Sequence, residues 1–180
     1  MVVLINGSFG VGKSTIAKLL RNALPGSAIY DPELVGFVLM RAGTFLRLAG
    51  SGTDDFQDMP LWRRSVSGGT RLVERLASGP VLVPMTFTSR DYFDEVVTDL
   101  GSRGNAPRTF CLRASLETIE KRLEKRKLDP NGREKLWLTR RIRECVEAHH
   151  DSHFGEPVDT DNRSAQEVAE DILQRLDANT

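Results

Sequence analysis

Residues 7–15 read GSFGVGKST and lie between an apolar run, residues 2–5, and a segment with helical periodicity. The first eight residues of this stretch satisfy the pattern G-x-x-x-x-G-K-[ST] without a gap, after a predicted strand and before a predicted helix. Glycine lets the backbone curl so that successive N–H groups face an anion, and the helix start adds the positive end of its dipole. The loop is therefore predicted to bind the phosphates of a nucleoside triphosphate, which we expect to be ATP, through Gly7, Ser8, Phe9, Gly10, Val11, Gly12, Lys13, Ser14 and Thr15.

Two side chains of this phosphate loop are predicted to act directly on the nucleotide. Lys13 would reach the β and γ phosphates as a point charge, and the Ser14 hydroxyl would ligate Mg²⁺. The alternative is a glycine-rich turn that matches the pattern by chance. Average residue frequencies give such a match in about one chain in two hundred of this length, and the strand and helix on either side make it rarer still.

The composition is that of one ordinary globular domain. Hydrophobic residues make up 39% of the 180 positions, and 25 Lys and Arg balance 25 Asp and Glu. A single domain spanning 1–180 is therefore expected, and nucleic acid is not an expected partner. Cys111 and Cys145 lack CxxC spacing and a His cluster, which argues against a metal site or a disulfide framework. The sequence has no signal-peptide pattern and no run of ~18 apolar residues, so we expect a cytoplasmic protein without an integral membrane segment.

Short apolar runs alternate with segments of helical periodicity along the whole chain. Such alternation predicts an α/β fold in which a parallel sheet carries helices on both faces. The predicted helices include one from Lys13 to about Leu24 and one that begins at Ser164, where Glu167 has capping-box spacing. Five strands are predicted, at residues 2–5, 27–30, 80–84, 109–112 and 157–160.

Asp31 follows the second predicted strand, at the edge of the sheet where ligands of open parallel sheets bind. Its carboxylate could orient or deprotonate an acceptor hydroxyl, or hold Mg²⁺. It could equally be the N-cap of the helix that begins at Pro32-Glu33. The third predicted strand ends in Met85-Thr86, where many proteins with this loop carry a metal-holding Asp. Asp31 is therefore the preferred acidic partner of the metal.

A basic segment follows the fourth predicted strand. Arg122 and Arg126 lie four residues apart, before the Asp-Pro-Asn-Gly break, which suits a small lid at about 126–134 that closes over the γ-phosphate. The alternative is a solvated helix face, because acidic residues are interspersed. Asp161 and Asn162 follow the last strand, where an adenine could lie against exposed backbone, although they could also form a capping turn.

The acceptor pocket is predicted in segments that follow strand ends, chiefly residues 31–62. Aromatic and arginine side chains there suit a planar or sugar-phosphate ligand, but a protein core and its rim contain the same residue types. The candidates are Phe37, Arg41, Arg47, Phe56, Trp62, Phe87 and Arg90.

Several motifs resemble those of known families. The order of elements and the loop resemble the nucleotide-kinase-like branch of P-loop proteins, such as shikimate, gluconate and nucleoside monophosphate kinases. Narrower motifs are similar to the ATP-binding tunicamycin-resistance proteins, namely 30–33 YDPE, 54–57 DDFQ, 60–62 PLW, 83–86 VPMT and 160–162 TDN. The resemblance covers nearly the whole chain. It implies an ATP site on residues 7–14 and drug-facing residues at Asp31, Asp55, Phe56, Met85 and Thr86.

Three functions are compatible with these patterns. The first is Mg-ATP-dependent phosphoryl transfer to a hydroxyl of tunicamycin, a uracil-containing nucleoside antibiotic. The second is a protein that sequesters the drug and binds ATP without transfer, which the missing acid after the third strand favours. The third is a housekeeping kinase for a nucleotide or another small molecule, which would use the same loop chemistry.

Overall fold

The computed structural model describes residues 1–36, 56–102, 104, 106–125 and 132–178. The predictions made for Phe37, Arg41, Arg47, Asp55 and Arg126 lie outside the described residues, as does the prediction for the side chain of Phe56. Residues 126–131 of the predicted lid lie outside them as well.

Five parallel strands form the sheet, in the order β2-β3-β1-β4-β5. They are β1 (Val2–Gly7), β2 (Ala28–Ile29), β3 (Val81–Met85), β4 (Arg108–Arg113) and β5 (Glu156–Asp159). The predicted five-stranded parallel sheet is confirmed. In the central strand, Asn6 lies opposite Met85 of β3 and Gly7 lies opposite Leu112 of β4. The phosphate loop therefore leaves the middle of the sheet at its carboxyl edge, between the ends of β3 and β4.

Six long helices lie within the described residues. They are α1 (Lys13–Ala23), α2 (Pro60–Leu76), α3 (Arg90–Gly101), α4 (Leu116–Lys125), α5 (Gly132–Ala148) and α6 (Ala165–Asp177). Residues 32–36 are also helical, and short 3₁₀ turns span Phe56–Asp58 and Ser152–Phe154. The capping box predicted at Ser164 is present, because its hydroxyl accepts from the backbone of Glu167, whose carboxylate accepts from the backbone of Ser164. No helix in the described part of the chain is long and apolar enough to cross a membrane.

The alternation of side chains along β1 divides the core into two layers. Val3 and Ile5 pack with α1 and α6, whereas Val2 and Leu4 pack with α2 and α3 on the other face. Both layers are closed to solvent, and this explains why β1 reads as a continuous apolar run and not as an alternating one. The two covered faces confirm the predicted helices on both sides. They fix β1 rigidly, so the loop that follows it starts from a well-defined point.

Candidate nucleotide and phosphoryl-transfer site

Gly7 and Gly12 show why the backbone of the phosphate loop requires glycine. Gly12 has φ 117°, a left-handed value that side chains with a Cβ rarely adopt. Gly7 has φ 155°, and a Cβ there would lie 2.8 Å from Val11 Cγ1 and 3.0 Å from the Leu112 carbonyl oxygen. Gly12 is also the N-cap of α1 and gives that helix no side-chain cap. The first N–H groups of α1 can therefore bind an anion, and Ser14 and Thr15 are exposed beside them.

Lys13 lies inside the loop, and only 6% of it is exposed. Its Nζ donates to the carbonyl oxygens of Gly7 at 3.1 Å and Ser8 at 3.2 Å, and to Thr86 Oγ1 at 2.9 Å. An ammonium group has three donors, so these three acceptors satisfy it fully. Thr86, which sequence analysis assigned to the acceptor pocket, is completely buried and contacts the phosphate loop directly.

Glu33 forms an ion pair with this ammonium group. Its Oε1 accepts a hydrogen bond from Thr86 Oγ1 at 2.7 Å and lies 3.6 Å from Lys13 Nζ, with 17% of the side chain exposed. Sequence analysis missed this role and treated Glu33 only as a first-turn acid. One signal could have found it: no acid follows β3, and Glu33 lies just beyond β2, whose end faces the same edge of the sheet.

Asp31 takes the cap position that sequence analysis held open as an alternative. Its Oδ1 accepts from the backbone N–H of Glu33 at 3.0 Å. Burial raises the pKa of Asp31, the nearby Glu33 carboxylate raises it further, and the Lys13 charge opposes both. Asp31 therefore lies within the electrostatic reach of the site, and its action on an acceptor or a metal stays a prediction.

Arg122 links the phosphate loop to the end of β5 through hydrogen bonds. Its guanidinium donates to the Val11 carbonyl oxygen at 2.9 Å, to Thr160 Oγ1 at 2.9 Å and to the Thr160 carbonyl oxygen at 2.7 Å. These contacts connect α4, the loop and β5, so Arg122 holds the shape of the loop in this structure. A contact between Arg122 and the γ-phosphate stays a prediction.

A small cavity of about 170 Å³ adjoins the outer side of the loop, next to Gly12 and Thr15. Arg122 and Arg163 contribute to its walls, and the start of α6 closes it. Its position beside the first turn of α1 suits a nucleotide base or ribose. Asp161 and Asn162, predicted to bind adenine, do not line this cavity. Asp161 accepts from the backbone N–H of Ser115 at the start of α4, at 3.0 and 3.2 Å, and Asn162 has φ 54° in the turn before α6.

Two predicted acceptor residues occupy other places in the described structure. Met85 is fully buried in the core on the α2 and α3 side, so its side chain has no surface that could face a ligand here. Arg90 forms an ion pair with Asp151, and 63% of its side chain is exposed. Phe87 and Trp62 pack against each other in the same core, with ring centroids 5.4 Å apart. Contacts of Met85 and Arg90 with an acceptor stay predictions.

The residues present fit a magnesium-bound triphosphate. Within the described part of the chain, no group of three His, Cys, Asp or Glu side chains is arranged to hold a metal ion. Magnesium ions in phosphate-transferring sites commonly take only one or two protein ligands, together with water and phosphate oxygens. The exposed Ser14 hydroxyl can supply one such ligand, and Glu33 lies at the same edge of the sheet.

Comparison with known proteins supports the fold described above. Residues 2–144 match the model of a family of AAA domains, and the chain belongs to this family. No curated protein matches the chain by sequence.

Solved structures with the same fold include the tunicamycin resistance protein of Deinococcus radiodurans, with a TM-score of 0.74 and 24% identity over 98% of this chain and 95% of that one. A gluconokinase of Sinorhizobium meliloti has a TM-score of 0.67 at 18% identity, covering 99% and 94%. A shikimate kinase of Acinetobacter baumannii in complex with shikimate has a TM-score of 0.61 at 15% identity, covering 99% and 95%. The resemblance predicted from the motifs is confirmed at the level of the fold.

Proposed function

We propose that this protein transfers the γ-phosphoryl group of ATP to a hydroxyl group of a small molecule, and that this molecule is a nucleoside antibiotic of the tunicamycin type. The buried group of Lys13, Thr86 and Glu33 carries the proposal. It sets an ammonium and a carboxylate side by side at the phosphate loop. A protein that only had to retain phosphates would need the ammonium but not the carboxylate.

Each residue has a defined task in the proposed reaction. The N–H groups of the loop and α1 bind the triphosphate, and Lys13 exchanges the Gly7 and Ser8 carbonyl oxygens for phosphate oxygens. Glu33 accepts the proton of the acceptor hydroxyl, whose oxygen forms a bond to the γ-phosphorus while the bond to the ADP oxygen breaks. ADP and the phosphorylated acceptor are the products. When bound, Mg²⁺ supplies positive charge that offsets the charge of the transferring phosphate.

Asp31 keeps its predicted place beside the acceptor in this proposal. Its bond to the Glu33 backbone fixes the start of the helix that carries Glu33. A loss of that bond would shift the proposed base, so Asp31 influences transfer even where it does not touch the acceptor. The predicted lid at 126–134, with Arg126, would close over the phosphates, as proposed from the sequence.

The antibiotic as acceptor is supported by the motifs at 30–33 and 83–86 and by the likeness in fold to a protein described as a tunicamycin resistance protein. A kinase for a sugar or a hydroxylated acid is the second candidate, favoured by the likeness to gluconokinase and shikimate kinase. Drug sequestration without transfer is less favoured than the sequence suggested, because Glu33 supplies the carboxylate that the end of β3 lacks. We expect the protein to act in the cytoplasm, where ATP is available.

The test incubates the protein with Mg-ATP and tunicamycin and uses mass spectrometry to look for a drug that has gained one phosphoryl group. Glu33→Gln should bind ATP as the parent does and should slow transfer by about a hundredfold or more, the usual contribution of a general base. Glu170→Gln, an exposed change on α6, is the matched control and should transfer at the parental rate. Tight drug binding without a mass gain would establish sequestration instead. Phosphorylation of a sugar or a hydroxylated acid, without phosphorylation of tunicamycin, would establish the second candidate.

A further inference from the structure

A second cleft, of about 440 Å³, lies at the same edge of the sheet on the other side of the phosphate loop. The end of β4, the start of α4 and the end of α5 enclose it, with Ile119 and Val146 among its apolar walls and Ser8 at the loop. The cleft shares no lining residue with the small cavity beside Gly12 and Thr15. It is large enough for a molecule of sugar size.

Three side chains lining this cleft carry buried polar atoms without a hydrogen-bond partner among the described residues. They are Nδ1 of His149, Oγ of Ser8, and Nε and Nη2 of Arg113. His149 and Ser8 are each only 2% exposed. Buried polar atoms are nearly always hydrogen-bonded, because an unmet donor or acceptor costs about 1–3 kcal/mol. Because all three side chains line one cleft, a molecule bound there is the shared partner considered below.

The contacts of His149 define what its free nitrogen can do. Its Nε2 lies 2.8 Å from the Phe87 carbonyl oxygen, which can only accept, and 3.3 Å from Asn6 Nδ2, which donates to the same carbonyl oxygen. The shorter contact assigns the ring proton to Nε2. Burial lowers the pKa of His149 to about 4, and the charges of Lys13 and Arg113 lower it as well. The ring is therefore neutral near pH 7, and Nδ1 carries a buried lone pair in a side chain that lines the cleft. It requires a donor such as a hydroxyl group.

Arg113 supplies the opposite chemistry. Its guanidinium is always charged, and Nε with Nη2 forms the edge that binds a carboxylate through two parallel hydrogen bonds. In the described part of the chain, Arg113 forms no ion pair with Asp161, whose carboxylate accepts from the backbone of Ser115. Asp159 lies beside Arg113 in the sheet register and is exposed at the rim of the cleft, and His150 is exposed there too. The carboxylate of Asp159 at the rim disfavours a ligand with several negative charges.

We propose that this cleft binds a small organic monoanion that carries a hydroxyl group, with its carboxylate on Arg113 and its hydroxyl donating to Nδ1 of His149. The cleft adjoins the nucleotide site at Ser8, and binding there goes beyond the proposed phosphoryl transfer. Ser8 belongs to both the cleft and the phosphate loop, so an occupant that bonds to its hydroxyl also contacts the loop. Binding in the cleft and binding of nucleotide are therefore coupled.

The test uses three six-membered-ring probes on the intact protein, measured by calorimetry without ATP and again with a non-hydrolysable ATP analogue. Glucuronate has both groups, cyclohexanecarboxylate has only the anion, and glucose has only the hydroxyls. Glucuronate should bind about tenfold or more tightly than either of the others, because each of them leaves one buried polar group unpaired. The analogue should change the affinity for glucuronate and should not compete with it for the same site.

Two variants distinguish a loss of glucuronate binding in the cleft from a general effect on the protein. Arg113→Met should abolish glucuronate binding, whereas Arg108→Met, at the other end of β4 and paired with Glu156, should leave it unchanged. His149→Gln retains a donor for the Phe87 carbonyl oxygen and loses the acceptor. It should weaken glucuronate about tenfold and leave the weak binding of cyclohexanecarboxylate as it is.

Equal binding of the three probes, or glucuronate binding that survives Arg113→Met, would overturn the proposal and indicate a cleft filled by water. Competition by the ATP analogue would also overturn it, because the probe would then occupy the phosphate loop. If Arg113→Met does not fold, Arg113→Lys keeps the charge without the two-pronged edge and should still lose most of the preference for glucuronate over glucose.

Discussion

The two sides of the phosphate loop treat their buried polar groups in opposite ways. On the β3 side, Lys13, Thr86 and Glu33 satisfy one another and the loop carbonyl oxygens. On the β4 side, His149 and Ser8 each retain an atom without a partner among the described residues. The first side is complete without a ligand and holds the loop in shape for the nucleotide. The second side is complete only when a molecule or water enters the cleft.

The largest expected effect is on the β3 side, from Lys13→Ala. Removing the ammonium should weaken ATP binding by about a hundredfold or more, because charge-assisted hydrogen bonds to phosphate are among the strongest that a protein makes. Calorimetric titration with Mg-ATP measures the change. Lys18→Ala, on the exposed side of the same helix, is the matched control and should bind ATP as the parent does. Retained affinity in Lys13→Ala would mean that the loop does not bind the triphosphate.

The next effect concerns pH and the β4 side. Burial holds the pKa of His149 at about 4, against an ordinary 6.5. Between these values the unfolded chain binds a proton that the folded protein resists, so the free energy of unfolding falls as the pH drops from 6.5 towards 4. The shift corresponds to at most about 3 kcal/mol. Urea unfolding from pH 7 to pH 4 should therefore show a weaker dependence on pH in His149→Gln than in the parent.

His150→Gln is the control for this measurement, because His150 is the next residue in the chain and is exposed. Its unfolding free energy should follow the parental curve. Parallel curves for His149→Gln and the parent would show that the pKa of His149 is the same in the folded and the unfolded protein. In that case burial would not hold the ring in its neutral form, and the ring would become charged as the pH falls through about 6.5.

A smaller effect is expected from Thr86→Val, which keeps the shape of the side chain and removes its hydroxyl. The Lys13 ammonium then loses one acceptor and Glu33 loses its donor. Loss of these buried bonds should lower the free energy of unfolding by about 1–3 kcal/mol. Thr86→Ser retains the hydroxyl and should recover most of the difference in urea unfolding. A loss in Thr86→Ser without a loss in Thr86→Val would show that the methyl group matters and the hydrogen bonds do not.

The sequence predicted the fold and the loop more completely than it predicted the surroundings of the loop. Hydrophobic runs, turn residues and the pattern at 7–14 are local signals, and they gave the five strands and the strand-loop-helix unit. The role of Glu33 depends on how β2 and β3 align at one edge of the sheet, which no local pattern records. Met85 shows the same limit, since its place in a motif does not reveal that the pleat of β3 turns its side chain into the core.

The smallest effect is expected from Ser8→Ala, the counterpart of Thr86→Val on the other side of the loop. Both hydroxyls are buried, but that of Ser8 has no partner among the described residues, whereas that of Thr86 has three. Removing an unsatisfied buried hydroxyl breaks no hydrogen bond and removes the cost of burying that group. The free energy of unfolding of Ser8→Ala should therefore stay within about 0.5 kcal/mol of the parent.

Urea unfolding of Ser8→Ala in the presence of glucuronate extends the comparison to the occupied cleft. The ligand should stabilise Ser8→Ala less than the parent, because only the parental hydroxyl can bond to it. A loss as large as that in Thr86→Val without any ligand would mean that the Ser8 hydroxyl already has a partner in the free protein, and the two sides of the loop would then be alike.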